Sequence, residues 1–195
     1  DAYNVAIGSQ TGKSVTTGIK NTLIGSDAGD ALTTGSNNVA VGYRALSTED
    51  TGGANIAIGY FALEAQNIDS NAYNVAIGHG AGSAVTTGIE NTIIGGLAGD
   101  ALTTGISNTA LGMKALSSDT TGRYSVAIGH SALENQNFTG STEAYNVAVG
   151  YAAGNDITTG IQNTLIGGNA GDALTTGNSN VAIGYTALSS EDEHG

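Results

Sequence analysis

One five-residue phrase, Asn-x-x-Ile-Gly or a close variant, recurs eleven times along this 195-residue chain. It starts at Asn4, Asn21, Asn38, Asn55, Asn74, Asn91, Asn108, Ser125, Asn146, Asn163 and Asn180, in steps of 17 residues except for one of 19 and one of 21. The longer steps follow the fourth and eighth copies. The units therefore group in fours, over 4–73 and 74–145, with a shorter third set over 146–195. A fixed period of this kind marks an architecture in which each unit buries its apolar side against its neighbours. Residues 1–195 read as a single repeat domain.

With the first residue of the phrase as offset zero, offset four is Gly in every copy: Gly8, Gly25, Gly42, Gly59, Gly78, Gly95, Gly112, Gly129, Gly150, Gly167 and Gly184. Offset three is always Ile, Val or Leu, offset seven is Ala in ten copies, and offsets thirteen and fourteen are Thr-Gly in eight. Helix is excluded, because Gly costs about 1 kcal/mol in a helix interior and no 3.6-residue stripe survives between the glycines. The unit reads instead as two short extended segments joined by corners, with the offset-four Gly supplying positive φ at a bend. The expected fold is all-β: a parallel β-solenoid, or β-roll, of eleven coils. At about 4.8 Å per strand the rod is about 50 Å long.

Stacking predicts columns of like residues. Ile over Ile and Ala over Ala are expected to form the core. The Asn column is either a hydrogen-bonded amide ladder or a row of turn residues. In the first two units of each set, offset eight is Gly and offset eleven apolar, as in Gly29 with Leu32. In the third and fourth, offset eight is Leu and offset eleven polar, as in Leu46 with Glu49 and Leu116 with Asp119. Both positions should feed one core, since cores tolerate exchange that keeps total volume.

Composition sharpens this. Five basic against seventeen acidic residues give a net charge of −12, so a basic nucleic-acid footprint is absent. The chain has no Cys, hence no disulfide framework or thiolate site. No apolar run approaches the roughly 20 residues of a membrane span, so no membrane insertion by this segment is expected. The start at Asp1, without Met, reads as a processed chain or part of a longer one. Each coil offers few large apolar side chains, too thin a core for one chain, so a homo-oligomer is expected, and a homotrimer first. Three copies carry 3 × −12 = −36 charges, which should point outward.

The phrase, as it stands at Asn4–Gly8 and Asn180–Ala187, resembles the YadA-like head repeats of trimeric autotransporter adhesins. With its Thr-Thr-Gly element it also resembles the Asn-Thr-Ala-Ile-Gly/Thr-Thr-Gly repeats of phage tail fibres, and the resemblance spans Asn4 to Leu188. It implies rod-forming repeats and a left-handed β-roll intertwined as a trimer. The 17-residue spacing and regular Thr-Thr-Gly favour the fibre over the adhesin head. The expected role is then a structural shaft segment of an extracellular virion tail fibre supporting host attachment. The alternatives are the head of a bacterial surface adhesin and an ice-binding solenoid. Partners would be the chain itself and a host cell-surface glycan or protein.

No enzyme and no cofactor are expected. His79, His130 and His194 read as isolated exposed residues, and no Ser–His–Asp set recurs. Asp30, Asp100 and Asp172 share the phrase Gly-Asp-Ala-Leu-Thr-Thr-Gly. Turn capping is the first reading for them, with calcium between coils the alternative. Tyr43, Tyr60, Tyr151 and Tyr185 each follow the recurrent Gly and are candidate surface contacts, because exposed Tyr favours recognition. Tyr3, Tyr73 and Tyr145 precede the first Asn of each set. The insertions, Asn67 to Ala72 and Asn137 to Ala144, are further candidates, since loops leaving a repeat rod can carry its binding face.

Overall fold

The computed structural model describes residues 2–190, so His194 lies outside the described residues. Each coil contributes one three-residue strand, and the eleven strands form one parallel sheet in chain order. They are β1 (Val5–Ile7), β2 (Thr22–Ile24), β3 (Val39–Val41), β4 (Ile56–Ile58), β5 (Val75–Ile77), β6 (Thr92–Ile94), β7 (Thr109–Leu111), β8 (Val126–Ile128), β9 (Val147–Val149), β10 (Thr164–Ile166) and β11 (Val181–Ile183). The register is strict: Val39 pairs with Ile56, Ala40 with Ala57, Val41 with Ile58, and the same offsets align across both insertions. The chain is a β-solenoid of about 17 residues per coil.

The second half of each coil departs from expectation. It is a run of turns, not an extended strand. Its backbone still bonds from coil to coil: the Gly12 N–H donates to the Ala28 carbonyl and the Thr16 N–H to the Thr33 carbonyl. Every described residue with positive φ falls on one of four offsets. These are the residue before the Asn, offset four, offset six and offset eight. Left-handed backbone at three positions and an all-Gly corner at the fourth close each winding without Pro. The sequence hides this because the left-handed positions carry Tyr, Lys, Glu, Phe and Leu as well as Gly. At offset four the demand for Gly is absolute. All eleven have φ between 127° and 141°, and in all but Gly184 a side chain there would run into the Gly carbonyl of the next coil, 2.7 Å from Gly25 O at Gly8.

The interior is built from offsets two, seven, eight and eleven. Offset two points inward from the middle of each strand and is buried from Leu23 onward. The offset-seven Ala column is buried from Ala28 through Ala170. The exchange between offsets eight and eleven has a steric cause. The large offset-two side chains of the second coils, Leu23, Ile93 and Leu165, put δ carbons beside the offset-eight glycines of their own coil (Gly29, Gly99, Gly171) and of the coil before (Gly12, Gly82, Gly154), where offset two is Ala. In coils three and four, where offset two is Ala in both, Leu46, Leu63, Leu116 and Leu133 fill that space from offset eight. These leucines hold φ of 49–56°, a left-handed backbone that costs a non-Gly residue about 1–2 kcal/mol. Burying the side chain offsets this by about 1.5–3 kcal/mol.

Two expectations about sidedness are corrected. The Ile column at offset three is not in the core. Offsets one and three both face away from the interior, because alternate strand residues point to opposite faces. Acidic residues are not all outward either: Glu49 and Asp119, at offset eleven, are fully buried. The Asn column is a ladder, though chiefly one of amide to backbone. Oδ1 of Asn21 accepts the N–H of Asn38 at 2.9 Å, while its Nδ2 donates to the carbonyl of Gly35 at 2.9 Å. Each Asn thus closes its own coil and ties the next one to it. Coil four lacks the Thr-Gly pair, and there Nδ2 of Asn55 is buried with no partner.

Candidate functional site

Three features occupy the surface: the outer sheet face, two columns of aromatic rings, and the insertions. The sheet face carries Val, Ile or Thr at offset one and Ile, Val or Leu at offset three along all eleven strands. Away from the rod ends it is mostly half-buried, with Ile56, Leu111 and Ile166 exposed.

Tyr43, Tyr60, Tyr151 and Tyr185 are all exposed at offset five. The first three stack along the rod rather than standing apart. Tyr43 and Tyr60 lie 5.3 Å apart between ring centroids, Tyr60 and His79 5.1 Å, and His130 and Tyr151 5.4 Å. His79 and His130 are therefore members of this column, not isolated residues. One coil per ring sets the spacing. Phe61 tilts against both Tyr43 and Tyr60, and the Arg44 guanidinium lies 5.5 Å over Phe61. Gly96 and Gly168 interrupt the column, the first facing open space and the second lying under the Tyr185 ring. At the other edge of the strands Tyr124 and Tyr145 stack at 5.2 Å, and the phenol of Tyr145 donates to Glu143 at 3.1 Å. That bond holds the Tyr145 hydroxyl above its usual pKa. Rings stacked in this way cover one another's faces and present edges and hydroxyls to solvent.

The three aspartates of the shared phrase stand at offset nine. Asp30 pairs with Lys13 at 3.0 Å. Oδ1 of Asp100 and of Asp172 is buried without a donor, and burial raises the Asp100 pKa. Among the described residues no group of three or more His, Asp or Glu side chains could hold a metal ion, and no helix is long and apolar enough to cross a membrane.

The insertions are anchored from inside the rod. Oε1 of Glu49 accepts the N–H of Gly52 at 2.7 Å, and both of its oxygens lie within 3.4 Å of the Ile68 N–H in the first insertion. Gln66, one coil on, donates to Oε2 of Glu49 at 3.0 Å and accepts from Nδ2 of Asn74 at 2.9 Å. The second insertion repeats the device with Asp119, Gln136 and Asn146 at 2.6 and 2.8 Å. Burial pushes both carboxyls above their usual pKa, against the hydrogen bonds they accept. Neither network was anticipated from sequence. The available signal was positional: offset eleven is apolar in the first two coils of each set, so a polar residue at that offset within the stack is an inward one. Above the first network Asp50, Asn67, Ile68, Asp69, Ser70 and Thr87 line a cavity of about 530 Å³.

Comparison of the chain with protein-family models, with curated proteins and with solved structures gives no match.

Proposed function

We propose that this chain is a structural shaft segment of a homotrimeric extracellular fibre, of the phage tail-fibre kind, that supports attachment to a host surface. The observation that carries the reading is the outer sheet face. Parallel sheets occur almost only with both faces covered, whereas this one leaves a column of Val, Ile and Thr and a column of Ile, Val and Leu half-buried to exposed along eleven strands. The interior beneath is slim, since most coils bury two Ala and one larger aliphatic side chain. Copies packed face to face around a common axis would cover the columns and thicken that interior. The charge pattern agrees, because no Asp, Glu, Lys or Arg occupies offsets one to three in any strand.

The head of a bacterial trimeric surface adhesin is the second reading, favoured by the cavity at the first insertion. An ice-binding surface has less support. Thr occupies the outer sheet face only at Thr22, Thr92, Thr109 and Thr164, interleaved with Val and Ile, while the Thr-Thr-Gly residues stand in turns, where hydroxyls such as that of Thr16 and Thr103 donate to the carbonyl of the next coil. Light scattering on the full chain tests the assembly. Three chains per particle are expected for the native sequence, and single chains for Ile77→Glu combined with Ile94→Glu. A native chain that stays single at micromolar concentration overturns the reading.

A further inference from the structure

We infer that the cavity at the first insertion is a binding site for a neutral, hydroxyl-rich saccharide unit. This deepens the attachment reading by naming where and what the fibre would contact.

The cavity, about 530 Å³, is a broad depression open to solvent on one side, with room for one saccharide unit laid against the rod. Its lining is unlike an ordinary apolar pocket. Two carboxylates, an amide and two hydroxyls surround a single aliphatic side chain, Ile68. Carboxylates accept from sugar hydroxyls, the Asn amide both donates and accepts, and Ser and Thr hydroxyls do either. Ile68 is placed to meet the C–H face of a pyranose. No Lys, Arg or His lines the cavity, so an anionic sugar would meet only like charge.

The site is built rather than incidental. Asp50 and Thr87 belong to the rod itself, and the insertion is tied down at three points. Buried Glu49 holds the Ile68 N–H, the Asn67 N–H donates to the Thr86 carbonyl at 3.0 Å, and Thr51 Oγ1 donates to Oδ1 of Asp69 at 3.0 Å. Such support fixes a first shell in advance of ligand. Meanwhile, among the described residues, the side chains of Asn67, Ser70 and Thr87 form no hydrogen bond.

The second insertion is the internal contrast. It is two residues longer and its polar groups are bonded to the neighbouring coil. Thr120 donates to Asn137 Oδ1 and the Phe138 carbonyl, Thr121 to the carbonyls of Phe138 and Gly140, and Arg123 to Ser141. Phe138 is buried where the half-buried Ile68 stands in the first insertion.

The test uses the full chain and saturation-transfer NMR against a panel of neutral saccharides (glucose, galactose, mannose, rhamnose, N-acetylglucosamine) and two acidic ones (glucuronate, N-acetylneuraminate). At least one neutral saccharide is expected to bind, in the presence of chelator as well as without it. Ser70→Leu, which fills the cavity from an exposed position, should weaken binding by about tenfold or more, as the loss of one or two hydrogen bonds predicts. Thr139→Leu, exposed in the second insertion, should leave it unchanged. Melting temperatures of both variants should match the native chain. No binding by the neutral panel, binding that survives Ser70→Leu, chelator-sensitive binding, or acidic sugars binding equally well each overturns the inference. Light scattering on the same samples separates the two readings: trimers without binding refute the saccharide site alone, and binding by single chains refutes the assembly alone.

Discussion

The first two coils of each four-coil set and the last two enclose the same volume with different chemistry. Coils one and two carry Gly at offset eight and Val, Leu or Ile at offset eleven. Coils three and four carry a left-handed Leu at offset eight and a buried Glu, Asp or Gln at offset eleven. The apolar pair is cheap to bury but bonds to nothing specific. The polar pair bears desolvation and backbone strain, and in return it bonds the insertion that follows. Uniform coils make a rod; the exceptional pair marks where the rod can grow a loop.

The sharpest break in this pattern comes from the one feature all coils share. Gly95→Val places a Cβ against the Gly112 carbonyl at a φ of 137°. The strain alone is of order 1–3 kcal/mol, before the clash with backbone is counted. Loss of the cooperative melt by circular dichroism is expected. Its neighbour makes the control: Gly96→Ala meets no heavy atom within 4 Å, so stability should hold or rise by up to about 1 kcal/mol.

Next in size are the two ways of filling the core. Leu102→Ala, at offset eleven of an apolar coil, should cost about 2–5 kcal/mol by denaturant titration. Leu116→Ala should cost a similar amount. Leu116→Gly should cost less than Leu116→Ala, reversing the usual order, because φ at Leu116 is 56° and Gly adopts that without penalty. If Gly is the worse substitution, the left-handed backbone stores no strain there.

The buried carboxyls give a smaller, pH-dependent effect. Folding raises the pKa of Glu49 and Asp119, mainly by desolvation. The folded state therefore holds these protons more tightly than the unfolded chain. Their contribution is fully present below the unfolded pKa, near 4.5 for Glu and 3.8 for Asp, and is lost as pH rises through the raised folded values. Melting temperature should thus climb on mild acidification. Glu49→Gln with Asp119→Asn should flatten that climb, and an unaltered pH profile would mean the carboxyls titrate normally. The smallest effect belongs to the ring column. Tyr60→Ala should cost about 0.5–1.5 kcal/mol per lost stack, measured against Tyr185→Ala, whose ring stacks on no other ring among the described residues.

Much of the fold was legible because stacking forces like residues into register. The offset-four glycines, the Asn column and the exchange of large side chains between offsets eight and eleven all follow from that one demand. Sidedness was less legible. Strands of three residues give the alternation rule one inward position, and the pattern Val-Ala-Ile puts the small residue there. Bulk therefore pointed to the wrong face. The turn-built half of the coil was hidden as well, since Tyr, Lys and Leu at left-handed positions carry no turn signature. Of the candidate contact surfaces, the tyrosines at offset five and the sites of insertion were legible, but His79 and His130 were read as isolated and their place in the ring column was not. The cavity could not, because it forms only where Asp50 and Thr87, 37 positions apart, meet one loop.

Strict parallel register has an evolutionary corollary. Any two windings a whole set apart present interchangeable edges, so unequal recombination between the sets would add or remove 70 or 72 residues and leave both new junctions paired. Reach would then change in increments of about 19 Å, four strand spacings, with one loop gained or lost at each increment, as on a ruler graduated by its own sequence.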